Sequence, residues 1–207
     1  MCVSALEIAS EPDDIEFVSF HDNDDVSVYE YVGNHKEVRG ERTEYNINMM
    51  ANECCKIATG DIYYFGNDDS IFETKEWDKR VKETFEKYPD KIVLVCPNNG
   101  TWNTWRFGTE AFVHRNWIET VGYILAPYPH AVGADRWINE VAVALGRQVY
   151  LEDVKKKHLQ VRDRVHYEKS KRGSQLQKGY GLPEMVEARQ RDIRVLQEFI
   201  NNFKHEN

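Results

Sequence analysis

The order of the residues predicts an α/β sandwich built on a mostly parallel sheet. Short β-branched and aromatic runs alternate with amphipathic helical patterns along the chain, the arrangement of sheets whose parallel strands are joined by helices. Residues 92–96 (IVLVC) are apolar without interruption, as in a strand covered on both faces. Two acidic clusters, residues 22–25 and Asp68-Asp69, each follow directly on a predicted strand. In open sheets of this class ligands bind beyond the carboxyl ends of the strands, so both clusters are expected to face one crevice.

The elements follow in order. Residues 3–9 read as the end of a short helix, closed by the turn signal Glu11-Pro12-Asp13-Asp14. Residues 15–20 (IEFVSF) form a strand that runs into the acidic loop, and residues 28–31 and 37–38 add short extended pieces around Gly33-Asn34. In residues 46–58, Ile47, Met50, Ala51, Cys54 and Ile57 recur at helical spacing, and Gly60 ends the helix. Residues 62–65 (IYYF) are the next strand, followed at once by Gly66-Asn67-Asp68-Asp69. Residues 74–88 are helical, with Trp77, Val81, Phe85 and Tyr88 in register, and Pro89-Asp90 breaks the chain before the apolar strand.

Beyond that strand the pattern is a polar, Trp-containing loop over 98–106, extended structure over 109–113, and a short helix over 116–121 ending at Gly122. A loop over 127–133 leads to an amphipathic helix over 135–145 closed by Gly146, then a last short strand over 149–151. A charge-rich stretch begins at Val161, and residues 183–203 form a helix with Pro183 in its first turn.

Bulk properties narrow the function. With 207 residues the chain is long enough for one substantial domain, or one domain with a helical appendage. The net charge of −8, from 27 basic against 35 acidic residues, argues against nucleic acid as the main partner. Cys2, Cys54, Cys55 and Cys96 show neither metal-site spacing nor a disulfide pattern, so a reducing, cytoplasmic setting is expected. No apolar run approaches the ~18 residues of a membrane span, and no leader pattern opens the chain.

Adjacent carboxylates at a strand end repel each other unless a cation or a donor compensates. A Mg²⁺ or Mn²⁺ ion does so with one or two carboxylates and completes its shell from water and substrate phosphates. Asn-Asp-Asp is also good turn chemistry, which leaves a plain solvated turn as the competing reading. An acid at the start of a helix, as at Asp135, is a good cap and dipole partner. Trp102 and Trp105 suit either stacking on a ligand or ordinary packing, and the Lys155-Lys156-Lys157 run suits a solvated face better than closure over an anion.

The stretch from Asn52 through Ala58, Gly60-Asp61 and the IYYF strand to Asp68-Asp69 resembles the ordered signature of GT-A glycosyltransferases of the family 2 type. The strand ending His21-Asp22 is similar to the second strand of that fold. The segments around Phe107-Gly108-Thr109, His114-Arg115 and residues 117–122 resemble its acceptor side. Asp135, in ADRWINEVA, falls where the family places its catalytic acid, and Leu151-Glu152-Asp153-Val154 up to His158 resembles its late segment. The likeness spans about residues 3–160.

The resemblance implies a three-layer α/β fold over residues 1–160, with residues 161–207 as a C-terminal helical extension. It implies a metal-dependent transferase moving a sugar from a nucleotide diphosphate, UDP being the expected one, to an acceptor hydroxyl. Asp22 would contact the base and Asp68 the ribose. Asp69 and His158 would hold Mn²⁺ or Mg²⁺, Arg115 would grip a phosphate or the acceptor, and Asp135 would be the catalytic base. The family's first strand has no counterpart before Met1-Cys2-Val3, so a shortened fold is expected, with its open sheet position covered by another element or a second copy. A nucleotidyltransferase, which also uses acidic metal sites on such a sheet, and a non-catalytic nucleotide- or sugar-binding protein are the alternatives.

Overall fold

A computed structural model describes residues 2–41, 47–67, 69–100, 108–127, 134–159 and 181–206. The chain is an α/β protein with mixed sheets. Helix α1 (Cys2–Glu7) and a 3₁₀ turn (Pro12–Asp14) precede β1 (Glu16–Asp22) and β2 (Asn34–Gly40). Then come α2 (Ile47–Ile57), β3 (Ile62–Phe65), β4 (Ser70–Phe72), α3 (Trp77–Glu86) and β5 (Leu94–Asn98). The chain continues through β6 (Ala111–His114), α4 (Arg115–Val121), α5 (Ala134–Ala144) and β7 (Gln148–His158) to α6 (Pro183–Glu206).

β1 and β2 pair in parallel as a two-stranded sheet, and the other five strands form a second sheet in the order β3-β6-β5-β7-β4. This corrects the expectation of a mostly parallel sheet. Among the described neighbouring pairs of the larger sheet only β5 and β7 pair in parallel, while β6 runs against both β3 and β5, and β4 against β7. The physical reason lies in what side chains report. Burial on both faces marks a central position in a sheet, and a strand of either direction can fill it. Ala111, Phe112 and Val113 are as deeply buried as the IVLVC run, yet they run the other way.

Alternating side chains divide the core in two. Tyr63, Leu94, Cys96, Ala111 and Val113 pack on the helices α2, α4, α5 and α6, while Val93, Val95 and Phe112 pack with Ala5 of α1 and Trp77, Val81 and Phe85 of α3. On the second face Phe72 stacks on Trp77 with ring centroids 4.3 Å apart.

Local chemistry fixes the helix ends. The His114 side chain accepts the Asn116 N–H at the start of α4, and Gly122, at φ 94°, closes it by donating to the Ile118 carbonyl. On α6, Asp192, Leu196 and Ile200 recur every four residues and are all buried, so this helix is part of the main core. No described helix is long and apolar enough to cross a membrane.

The last strand is longer than its sequence suggests. β7 spans Gln148–His158 rather than three residues. Its basic stretch is a two-sided strand, with Val154 and Lys156 turned inward and Lys155 and Lys157 outward.

Candidate functional site

Strand directions define one edge of the larger sheet. β3 and β5 both run antiparallel to β6 and so run the same way as each other, and β7 is parallel to β5. The carboxyl ends of these three strands therefore share an edge. Onto it open the acidic turn after Phe65, the segment 98–100 after β5, residues 108–110 entering β6, and the end of β7. α5 starts at the same edge, because Asn139 of its second turn donates to the Gly108 carbonyl at 2.8 Å and accepts the Gly108 N–H at 3.0 Å. Gly108 cannot carry a side chain, since a Cβ there would lie 2.4 Å from Cys96 Sγ.

The acidic turn is held from beneath by a buried carboxylate. Glu110 is 2% exposed and receives donors on both oxygens. Asn67 Nδ2 and Ser70 Oγ reach one oxygen at 3.0 and 2.7 Å, and Lys156 Nζ, 2.5 Å away, and the Tyr64 hydroxyl reach the other. Asn67 and Ser70 bracket the two aspartates. The Ser70 N–H also donates to the Asn67 carbonyl at 3.3 Å, and the Leu159 N–H to the Asp69 carbonyl at 2.7 Å. Burial pulls the Lys156 ammonium below its ordinary range, against the carboxylates of Glu110 and Asp69, which push it up.

Sequence reasoning missed Glu110 and misread Lys156. The basic run was expected to be solvated, but Lys156 is 2% exposed. A period-two reading from Val154 would have turned Lys156 inward. Nothing local marks Glu110, because its partners come from three strands and a turn.

Asp135 lies in the first turn of α5 at this edge, and its Oδ1 accepts the Arg136 N–H at 2.8 Å. Burial raises its carboxyl above the ordinary aspartate value, with backbone donors from Arg136 and from Asp135 itself opposing. The structure thus brings Asp69 and Asp135 to one edge of one sheet. Cys96 behind them is inert, its thiol pushed up to about 12 by burial.

No protein-family model and no curated protein matches this chain.

Arg115 lies at the other edge of the sheet. It follows β6 at the end where Ile62 pairs with His114, the opposite edge of the sheet. There its guanidinium donates to the Gly60 carbonyl at 2.6 Å, lies 3.7 Å from Asp61 and covers the Tyr63 ring at 5.4 Å. Asp22 ends β1 opposite Gly40, in the separate two-stranded sheet. The start of β1 is tied to the approach to β3, where Glu16 accepts the Thr59 N–H at 2.8 Å and its hydroxyl at 2.9 Å. Asp68, Trp102 and Trp105 lie outside the described residues, as does the side chain of His158.

Among the described residues no group of three or more His, Cys, Asp or Glu side chains could hold a metal ion. The donor chemistry of the turn fits a hard cation all the same. Mg²⁺ and Mn²⁺ sites commonly use one or two carboxylates and take the remaining ligands from phosphate and water. Asp69 offers one such oxygen donor on a turn fixed from both sides.

Proposed function

We propose that this chain is a glycosyltransferase of the GT-A type, acting from a nucleoside-diphosphate sugar, with UDP as the first base to test. The observation that carries the reading is the presence of two acids at the carboxyl edge of one sheet. The Asp69 turn is braced by Glu110, and Asp135 has its carboxyl raised by burial.

Asp69 would hold the diphosphate end of the donor, His158 would add a ligand, Asp68 would meet the ribose and Asp22 the base. A divalent ion, when bound, supplies charge neutralisation for the diphosphate leaving group. Asp135 accepts the proton of the acceptor hydroxyl as that oxygen bonds to the anomeric carbon and the bond to the diphosphate breaks. A carboxylate whose proton affinity is raised by burial is a stronger base for that transfer than an ordinary surface aspartate.

Thermal shift or calorimetry with UDP and GDP, with and without Mn²⁺, tests the donor site. Stabilisation by a nucleoside diphosphate that requires the ion, and its loss in Asp69→Ala, are the expected results. Absence of any nucleotide effect on the native chain would sink the proposal. Asp135→Asn is expected to abolish transfer and keep nucleotide binding, and retained turnover would remove Asp135 from the mechanism.

A further inference from the structure

Beneath the acidic turn lies a pair of charges that cannot touch a ligand. Glu110 and Lys156 are each 2% exposed, and their charged groups meet at 2.5 Å. Taking two charges out of water is costly, and replacing such a pair by apolar residues is often neutral or stabilising. Packing alone therefore gives no reason for the pair.

The geometry points to Glu110 and Lys156 as positioning residues that fix Asn67, Asp69 and Ser70 for donor binding, a role that rests on the transferase reading above. The carboxylate receives donors from β3 (Tyr64), the turn (Asn67), β4 (Ser70) and β7 (Lys156). Two of these, Asn67 and Ser70, stand immediately before and after the acidic pair. An acceptor for four converging donors has to offer lone pairs on both oxygens, which a carboxylate does and a glutamine amide does not. Lys156 supplies the opposite charge that this buried acceptor requires, and its Nζ lies 3.5 Å from Ser70 Oγ. Tying the turn to three strands removes freedom that ligand binding would otherwise have to remove, the general benefit of a preorganised site.

Two double variants of the full chain separate positioning from plain stability. Glu110→Gln with Lys156→Met removes both charges and keeps an acceptor oxygen toward Asn67 and Ser70. Glu110→Leu with Lys156→Met removes both charges and the acceptor. Two quantities are measured in each: the Kd for UDP with Mn²⁺, and hydrogen exchange at the Ser70 and Leu159 amides, whose bonds close the turn. The Arg115 amide, bonded to the Asp61 carbonyl at 2.7 Å on the far edge, reports whether the fold is intact.

The Leu/Met variant is expected to bind UDP about tenfold more weakly or worse, the scale seen when supporting partners of a site are lost. Its Ser70 and Leu159 amides should lose protection while the Arg115 amide keeps it. The Gln/Met variant keeps the acceptor toward Asn67 and Ser70 but loses the second acceptor oxygen and the lysine, so it should fall between the native chain and Leu/Met in both measurements. Ser70→Ala, a milder change at a fully buried hydroxyl, is expected to move binding in the same direction. Native-like binding in both Leu/Met and Ser70→Ala would overturn the proposal, and so would loss of protection at Arg115 to the same degree as at Ser70. If the native chain binds no nucleoside diphosphate, the transferase reading falls by itself, and the exchange measurements still decide whether the pair holds the turn.

Discussion

Glu110 and Asp192 are buried to the same degree, 2% each, in different parts of the molecule, and they are compensated differently. Glu110 stands at the carboxyl edge of the sheet with a lysine ammonium and three neutral donors on its two oxygens. Asp192 lies on α6 where that helix meets α4 and α5. Its Oδ2 accepts the Tyr123 hydroxyl and, at 2.9 Å, the Trp137 indole N–H, while its Oδ1 has no hydrogen bond. Among the described residues Arg191 is the cation facing that oxygen, its Nη1 3.9 Å away. Burial raises the Asp192 carboxyl above its ordinary value, with Tyr123 and Trp137 opposing. One site places a full counter-charge on a carboxylate to fix a turn. The other uses neutral donors to dock a helix and leaves the carboxylate under-compensated. Burial alone does not decide which carboxylate receives a cation, since Asp90 is also paired, with Arg147 at 2.9 Å; at Glu110 the cation joins donors that flank Asp69.

The largest effect expected from this contrast is at Lys156. Lys156→Met leaves Glu110 buried without its counter-charge, a change that costs about 3–5 kcal/mol when a buried pair is broken from one side. Urea unfolding of the native chain and the variant measures it. A loss no greater than that of Asp192→Asn would remove the distinction between the two carboxylates.

Asp192→Asn is expected to do less at neutral pH, on the order of 1–2 kcal/mol, because it exchanges charge-assisted hydrogen bonds for neutral ones. Its signature is the pH dependence. The folded-state pKa of Asp192 is raised, so the folded chain holds this proton more tightly than the unfolded one. The associated stabilisation is fully present below the unfolded aspartate value of about 4 and is lost as pH rises through the higher folded value. Native stability should therefore fall relative to Asp192→Asn across that window. A difference between native and variant that stays flat with pH would mean Asp192 is not the under-compensated group.

Much of the fold was legible because its signals are local. Strand and helix order, the Gly122 stop and the buried IVLVC run follow from periodicity and turn chemistry over a few residues. Strand direction was not legible, since β6 carries the same two-sided burial in an antiparallel setting. In the candidate site, Asp69 and Asp135 stood out because acids after a strand and at a helix start are visible in the residue order. Glu110 did not, as its role arises from Tyr64, Asn67, Ser70 and Lys156, which meet only when β3, β4, β6 and β7 are assembled. Lys156 was hidden in plain view, its inward direction masked by the two exposed lysines beside it.

The smallest expected effect separates the two ends of the sheet. Arg115 belongs to the edge where β3 begins. Its contacts there are with the Gly60 carbonyl, with an Asp61 side chain that is 81% exposed, and with the Tyr63 ring. An ion pair that open to solvent contributes little, so Arg115→Ala should cost no more than about 1 kcal/mol of stability. It should also leave the Kd for UDP with Mn²⁺ at the native value, because no ligand held at the Asp69 turn needs a group from the far edge. Asp69→Ala, measured alongside, should abolish the same binding. Equal losses in the two variants would mean that the ligand spans both edges, and that the carboxyl edge of the sheet is not the boundary of the site.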